Sequence, residues 1–284
     1  MLKIIVELLD MIQFQHTLFA LPFALLSAVL AADGLPSGRV LLLILAAMVT
    51  ARSCAMAFNR IVDAQLDAQN PRTSGRAIPA GRIGLAAAWV FTIVMAALFV
   101  ASAWALNRLC FFLSPAALVI VLGYSYTKRF TSLSHLFLGL ALSVAPVGAW
   151  LAVTGAFALP PLLLAAAVLF WTAGFDILYA CQDIEFDRRA GLFSIPKAVG
   201  VPWALRISSI FHAAMVGLLL VMSLCSDLGW LFVCGVAAAG AMLIYEHRLV
   251  RPDDISRVNM AFFTVNGIVS VALACVGIAD VLLT

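Results

Sequence analysis

Long apolar stretches, each close to the length of a membrane span, recur along this chain and alternate with short polar segments. A helix of about 20 apolar residues crosses the roughly 30 Å of hydrocarbon in a bilayer. The breaks carry turn-forming residues such as Asp33-Gly34, Pro71 and Pro160-Pro161. The pattern predicts nine transmembrane helices, near residues 11–32, 40–66, 85–106, 109–127, 133–153, 161–185, 203–223, 228–246 and 258–281.

Composition supports this prediction and excludes a soluble globular protein. Hydrophobic residues make up 64% of the 284 residues and charged residues 11%, whereas soluble domains are roughly 45–50% apolar and about 25% charged. We expect an all-α, multi-pass membrane protein whose helices surround a central cavity, with residues 1–284 forming a single domain. Its surroundings are membrane lipid, and we expect no nucleic acid partner.

Basic residues are distributed unevenly among the predicted loops. The even-numbered loops carry eleven of them and the odd-numbered loops two, Arg39 and Arg108. Because basic loops stay in the cytoplasm, we expect a cytoplasmic N-terminus and an external C-terminus. A bacterial inner membrane is the expected location.

Two Asp-rich motifs lie at the ends of predicted helices. In the first, at 59–67, Asn59, Asp63 and Asp67 are four residues apart and are predicted to share one helix face. The second, at 176–187, contains Asp176, Asp183 and Asp187, also predicted on one face. Asp63 and Asp67 recur as Asp183 and Asp187 after 120 positions, and both pairs precede a basic loop. We therefore predict two similar halves with both motifs facing one cavity on the cytoplasmic side.

The paired motifs predict a site for Mg²⁺ and a diphosphate. Neighbouring carboxylates at a membrane boundary repel each other and must be neutralised, and Mg²⁺ bridges a few carboxylates to substrate phosphates. Basic side chains that can grip phosphate oxygens are predicted to surround this site; they are Arg72, Arg76, Lys128, Arg129, Arg188, Arg189 and Lys197. The alternative is that the carboxylates simply pair with nearby arginines.

These segments resemble the signatures of the UbiA superfamily of membrane prenyltransferases. The similarity covers Asn59-Arg60-x-x-Asp63-x-x-x-Asp67 with the following Asn70-Pro71-Arg72-Thr73, and Asp176 to Asp187 with the following Ser194-Ile195-Pro196. The segment Tyr124-Ser125-Tyr126-Thr127-Lys128-Arg129 also resembles the family pattern.

The resemblance implies a nine-helix enzyme that transfers a polyprenyl chain from polyprenyl diphosphate to an aromatic acceptor with Mg²⁺ as cofactor. By position, it implies metal binding by Asp63, Asp67, Asp183 and Asp187. Substrate binding is expected from Asn59, Arg72, Lys128, Arg129 and His16. We expect Asp176 to orient the acceptor or remove its ring proton, and Tyr179 and Tyr124 to stabilise the allylic cation.

The first helix leaves two acceptors open. The similarity is to 4-hydroxybenzoate polyprenyltransferases of ubiquinone synthesis and to their relatives in menaquinone synthesis. The hydroxybenzoate enzymes usually carry an Arg and a Lys-Pro step in this helix, whereas this chain has His16-Thr17-Leu18-Phe19-Ala20-Leu21-Pro22. That form resembles a branch linked to the futalosine route to menaquinone, which implies a dihydroxynaphthoate-type acceptor.

A cation-coupled secondary transporter is the alternative from another class. It would use the carboxylates as ion or proton sites. Such acids more often lie near the middle of the membrane, whereas those in this chain lie at predicted helix ends beside arginines. Their position therefore favours a substrate that carries phosphate.

Overall fold

The computed structural model describes Glu7 and residues 17–284, and this part of the chain is helical with short connections. The first predicted helix spans residues 11–32, and its residues 11–16, including His16, lie outside the described residues. The helices are α1 (Thr17–Ala32), α2 (Gly38–Val62), α3 (Ala64–Gln69), α4 (Leu85–Leu106), α5 (Arg108–Thr127), α6 (Ser134–Thr154), α7 (Leu159–Ala180), α8 (Ile184–Arg189), α9 (Ile195–Val199), α10 (Val201–Leu224), α11 (Trp230–Leu249) and α12 (Val258–Leu283).

The chain is an integral membrane protein. Eight described helices are long and apolar enough to cross a membrane, with α7 and α8 forming one of these spans. The described apolar part of α1, Phe19–Ala32, is shorter. The predicted all-α membrane fold is confirmed, and the count of nine helices is approximate.

The helices pack in a closed cycle in which α1, α6, α7, α10, α11 and α12 follow one another, while α2, α4 and α5 pack on one side of it. An aromatic cluster joins α1, α7 and α12. The rings of Phe23 and Phe175 lie 5.2 and 4.9 Å from that of Trp171, and the ring of Phe262 lies 5.2 Å from that of Phe175. Burial of these large side chains fixes α1, α7 and α12 against one another, and the cluster forms one wall of a cavity between the helices.

Buried polar groups tie the same helices together. Trp171 Nε1 donates to Asn266 Oδ1 at 2.7 Å, and Asn266 Nδ2 donates to Glu246 Oε1 at 2.6 Å. Asn266 follows a π-helical turn of α12, Ala261–Val265. Because unpaired polar groups are costly at membrane depth, these bonds hold α7, α11 and α12 in one register.

The helices that carry the two Asp-rich motifs do not continue through them, and this corrects the predicted spans at 40–66 and 161–185. The helix α2 ends at Val62, and α3 restarts after Asp63. The helix α7 ends at Ala180, and a 3₁₀ turn leads to α8 after Asp183. Asp63 has φ −91° and ψ 5°, and Asp183 has φ −101° and ψ 4°. The two motifs therefore share one local break, and the carboxylates that follow it, Asp67 and Asp187, each lie on a separate short helix.

Close packing of α6 on α7 gives the first prediction. A Cβ added at Gly139 would overlap the main-chain carbonyl oxygen of Leu169, whereas a Cβ at Gly148 of the same helix would meet nothing within 4 Å. We expect Gly139→Ala to lower the thermal unfolding temperature in detergent, with a cost of about 1–3 kcal/mol. Gly148→Ala is the matched control and should leave it unchanged or slightly higher. Equal behaviour of the two variants would contradict this packing.

Candidate active site

One cavity of about 660 Å³ opens among α2, α5, α6, α7 and α12, and it contains nearly every predicted site residue. The predicted residues that line it are Asn59, Asp63, Asp67, Arg72, Tyr124, Lys128, Arg129, Asp176, Tyr179, Asp183 and Asp187. His16 lies outside the described residues, so its predicted role stays a prediction. The breaks after α2 and α7 bring both motifs to the same cavity.

The carboxylates of the first motif are paired with arginines. Asp63 Oδ1 accepts from Arg129 Nη2 at 2.8 Å, and its Oδ2 accepts from Asn59 Nδ2 at 3.0 Å. Asp67 Oδ1 accepts from Arg76 Nη1 at 2.6 Å, whereas Asp67 Oδ2 is buried and has no hydrogen-bond partner. Burial raises the pKa of Asp63, and the attraction of Arg129 only partly offsets this effect. In the first motif, Asp67 Oδ2 is therefore still free to accept a hydrogen bond.

Arg72 connects the two motifs. Its Nε and Nη2 donate to Asp183 Oδ1 and Oδ2 at 3.1 and 2.7 Å, and its Nη1 donates to the Tyr179 hydroxyl at 2.9 Å. Burial opposes its charge, but Asp183, Tyr179 and Asp67 together outweigh burial and raise the Arg72 pKa. The loop between α3 and α4 thus crosses the cavity mouth to reach the second motif.

Asp187 is held in a different way from the other acids. The Ser194 hydroxyl donates to Asp187 Oδ2 at 2.7 Å, and both residues are buried. Ser194 also caps α9 by accepting from Lys197 N at 3.4 Å. The capping residue of the short helix Ile195–Val199 therefore also positions a site carboxylate.

The arginine pairing bears on the predicted metal site. Within the described residues, no three carboxylate, imidazole or thiol side chains are grouped so as to hold a metal ion. The four acids predicted to bind the metal nevertheless line one cavity, and their role as ligands stays a prediction. Arginines neutralise Asp63, Asp67 and Asp183, as the alternative reading of the motifs expected.

Lys128 is a cation of the site that has no fixed partner among the described residues. It follows α5 directly and lines the cavity, and no hydrogen bond joins its Nζ to any described residue. Burial lowers its pKa, but the carboxylates of Asp187, Asp176 and Asp183 outweigh that effect, so the net shift is upward and Lys128 stays charged. It is therefore available to an anionic ligand in the cavity.

Asp176 of α7 is fixed by a histidine of the neighbouring helix α6. His135 is fully buried, and its Nδ1 lies 2.7 Å from Asp176 Oδ2. The main-chain N–H of Ile195 donates to His135 Nε2 at 3.3 Å. Because Nε2 accepts, Nδ1 is the nitrogen that carries the hydrogen, and it donates to the carboxylate. Asp176 thus presents a fixed carboxylate to the cavity.

A second cavity, of about 470 Å³, adjoins the first and is lined almost entirely by apolar side chains of α2, α5 and α6. Arg52, Tyr124, Leu138 and Leu142 line both cavities. A charged chamber therefore lies beside an apolar one, an arrangement that suits a ligand with an ionic head and a hydrocarbon tail.

Comparisons with known proteins agree with this geometry. The model of the UbiA prenyltransferase family matches residues 20–268. The chain belongs to this family. It is a prenyltransferase enzyme, and the predicted resemblance is confirmed.

Individual relatives cover most of the chain. A 4-hydroxybenzoate octaprenyltransferase of Xanthomonas euvesicatoria is 33% identical over 254 residues, which are 87% of this chain and 84% of that protein. One from Shewanella loihica is 29% identical over 242 residues, 85% of this chain and 84% of that protein. The apo structure of a UbiA homolog from Aeropyrum pernix K1 is 35% identical, with a TM-score of 0.85 over 93% of this chain and 98% of that one.

A more distant neighbour shares the fold. The structure of a UbiA homolog from Archaeoglobus fulgidus bound to DMAPP and Mg²⁺ has a TM-score of 0.79 at 23% identity, covering 98% of this chain and 99% of that one. Membership of an enzyme family overturns the transporter alternative.

Sequence reasoning missed two polar residues of this prenyltransferase site. His135 received no role because no motif surrounds it, and Ser194 was read only as part of a loop signature. One sequence signal could have identified His135. It lies at the start of a membrane helix, and another membrane helix of the chain carries the acid Asp176, for which a histidine is a suitable partner. Their pairing depends on how α6, α7 and α9 meet, which the sequence pattern does not specify.

The electrostatics of Asp63 give a prediction about stability. A raised carboxyl pKa means that ionised Asp63 costs free energy in the folded protein at pH values above the ordinary Asp pKa of about 3.9. Arg129 would keep its bonds to the carbonyls of Ser125 and Val62 without this partner. We expect Asp63→Asn, at neutral pH without substrate, to leave the unfolding temperature in detergent unchanged or raise it.

Asp280→Asn provides the contrast for that measurement. Asp280 accepts hydrogen bonds from the main-chain N–H groups of Gly229 and Phe232 at the start of α11. A negative charge at this end of a helix stabilises the helix. This variant should lower the unfolding temperature. A marked decrease for Asp63→Asn would contradict the reading of Asp63 as a carboxylate held at a cost.

Proposed function

We propose that this enzyme transfers a polyprenyl chain from polyprenyl diphosphate to a ring carbon of a hydroxyaromatic acid such as 4-hydroxybenzoate, in quinone biosynthesis. The observation that carries the proposal is that the charged cavity and the apolar cavity lie side by side and share four lining residues. Curated relatives named 4-hydroxybenzoate octaprenyltransferase support this acceptor.

The diphosphate would bind between the two motifs. Lys128 offers an unshared ammonium group, and Arg72 and Arg129 present guanidinium groups at the same cavity. Charge-assisted bonds from arginine to phosphate oxygens are strong and directional. The arriving diphosphate would take over part of the hydrogen bonding that the carboxylates now receive.

The donor set fits Mg²⁺ that is shared with the diphosphate. The ion prefers oxygen ligands and is usually held by one or two carboxylates together with substrate phosphates. Asp67 Oδ2 is buried without a partner, and Asp63, Asp183 and Asp187 line the same cavity. These four carboxylates would hold the ion. When bound, Mg²⁺ withdraws charge from the diphosphate and so weakens the allylic C–O bond.

The hydrocarbon tail would occupy the apolar cavity. Its lining consists mostly of Ala, Val, Leu, Ile and Phe side chains, and the hydroxyls of Ser114 and Ser143, which also line it, donate to main-chain carbonyls of their own helices. Transfer of the tail out of water into such a space is favourable. This reading supports a polyprenyl donor rather than a polar one.

Reaction at the acceptor would use Asp176 and the two tyrosines. The allylic C–O bond breaks, the diphosphate leaves, a C–C bond forms to the ring, and the ring carbon loses one proton. The fixed carboxylate of Asp176 would orient the hydroxyaromatic acceptor or take that proton. Tyr179, whose hydroxyl accepts from Arg72, and Tyr124 would stabilise the allylic cation through their ring faces.

A dihydroxynaphthoate-type acceptor of the futalosine route is the second candidate acceptor, and the first-helix sequence around His16 favours it.

We propose a cytoplasmic N-terminus and active site and an external C-terminus in a bacterial inner membrane, because basic residues are concentrated in the even-numbered loops. The matching backbone breaks at Asp63 and Asp183 support two similar halves.

The main test is an acceptor panel with purified protein. Prenyl diphosphate, Mg²⁺ and a series of hydroxybenzoates and hydroxynaphthoates would be supplied, and the prenylated product and released diphosphate measured. We expect Mg²⁺-dependent product with one of these acids, and a loss of at least about 100-fold in Asp183→Asn. Asp227→Asn, an exposed acid outside the cavity, is the matched control. Full turnover by Asp183→Asn, or no product with any acid, would contradict the proposal.

The His135–Asp176 contact gives a second functional prediction. Removing a hydrogen bond to a charged group typically costs about 1.5–3 kcal/mol, so His135→Ala should lower kcat about 10- to 100-fold. His135→Asn, whose amide can donate from nearly the same position as Nδ1, should recover much of the loss. If Asn and Ala variants that both remain folded lose activity equally, the donated hydrogen bond is not what positions Asp176.

A further inference from the structure

Asn266 of α12 uses both polar groups of its buried side chain. Its Oδ1 accepts from Trp171 Nε1 of α7 at 2.7 Å. Its Nδ2 donates to Glu246 Oε1 of α11 at 2.6 Å and to the main-chain carbonyl oxygen of Ala261 at 3.1 Å. Two of these bonds join α12 to other helices, whereas the third returns to α12 itself. The bond to Ala261 therefore does not serve to hold the helices together.

The bond to Ala261 closes a π-helical turn. This turn, Ala261–Val265, directly precedes Asn266, and Ala261 is its first residue. The Asn266 amide thus ties the two ends of the turn to each other. A π-turn holds one more residue than an α-helical turn, and single π-turns inside α-helices are frequent at functional sites. We therefore ask what this turn presents to the active site.

The turn presents two consecutive aromatic side chains to the charged cavity. Phe262 and Phe263 both line it, although consecutive residues of an α-helix do not face the same way. A wider turn reduces the angle between consecutive side chains, so the π-turn accounts for their shared direction. The two rings lie 4.7 Å apart, and the ring of Phe262 lies 4.3 Å from that of Tyr179. The three rings form an aromatic wall of the cavity.

We propose that Asn266 is a positioning residue for prenyl transfer, because its bond to Ala261 holds the π-turn that sets this aromatic wall against the allylic carbon of the donor. The inference rests on the proposed function. When the allylic C–O bond breaks, the diphosphate leaves with the bonding electron pair and the carbon carries positive charge. Aromatic ring faces stabilise such a charge, and the bulk of the rings keeps water away from it.

The allylic cation has two fates, and the wall decides between them. A ring carbon of the acceptor supplies an electron pair, forms a C–C bond and then loses its proton. Alternatively, water supplies the pair, forms a C–O bond and loses a proton, which yields the prenyl alcohol. A displaced wall would admit water to the cation. The share of prenyl alcohol among the products therefore reports the position of the wall, whereas a loss of folded protein alone would not change it.

The test compares Asn266→Asp with the double variant Asn266→Asp/Glu246→Gln. In the single variant a carboxylate oxygen replaces the donor, so the bonds to Glu246 and Ala261 are lost while Trp171 keeps its acceptor. In the double variant the introduced glutamine amide can donate to that carboxylate. This change restores the link between α11 and α12 but leaves the Ala261 carbonyl without its side-chain donor.

We expect the double variant to regain unfolding temperature in detergent without regaining activity. Both variants should lower kcat for prenyl transfer about 3- to 30-fold, the range of one cation–π contact, and raise the share of prenyl alcohol. KM for prenyl diphosphate should stay within about twofold, because the wall meets the cation formed in the reaction and not the diphosphate. Phe263→Leu, at a partly exposed position of the turn, should also raise the alcohol share while the bonds of Asn266 remain.

Ser208→Ala is the matched control. Ser208 is fully buried and donates to the main-chain carbonyl oxygen of Gly174 at 2.7 Å, so it also joins two membrane helices, but it lines neither cavity. It should lower the unfolding temperature and leave the alcohol share unchanged. Wild-type kcat and alcohol share in the double variant, or an unchanged share in Phe263→Leu, would overturn the role of Asn266 while leaving the proposed function in place. A wild type that prenylates no hydroxyaromatic acid would overturn both.

Discussion

Pairing between arginines and motif carboxylates is the interaction on which the rest of this site depends. Three acids at the end of membrane helices cannot stay charged together without cations, and Arg129, Arg76 and Arg72 supply them. The Arg72–Asp183 pair also joins residues 111 positions apart and so draws the loop after α3 across the cavity. The same charges that hold the cavity together are those that a diphosphate and its metal ion would use.

The helix breaks and the cavities follow from this constraint. A straight helix would carry Asp67 and Asp187 along its axis, whereas the interruptions at Asp63 and Asp183 let a short helix turn each motif toward the centre. The charged cavity adjoins an apolar one, and Arg52 lines both. Polar chemistry and a hydrocarbon tail are thus kept in adjoining compartments of one helical bundle.

The sequence pattern predicted much of this and failed at identifiable places. The lengths of the apolar stretches located the membrane helices, and the paired motifs identified the residues of the cavity. Both features are spacings along one helix, and such spacings can be read from the sequence alone. It did not predict the breaks at Asp63 and Asp183, because residues such as Ala64 and Ile184 have no strong helix-breaking tendency. Nor did it predict the contacts of His135 with Asp176 or of Ser194 with Asp187, which arise only when separate helices pack. Which residues hold metal and substrate stays a prediction.

The central claim is that the motif carboxylates are occupied by arginines until substrate arrives, so the metal site is completed by the diphosphate. Calorimetric titration of the purified enzyme with Mg²⁺, with and without a non-reactive thiodiphosphate analogue of the prenyl donor, tests it most directly. The predicted result is weak Mg²⁺ binding alone and binding at least about tenfold tighter with the analogue, a coupling within the usual range between sites. Equally tight Mg²⁺ binding without the analogue would contradict the claim.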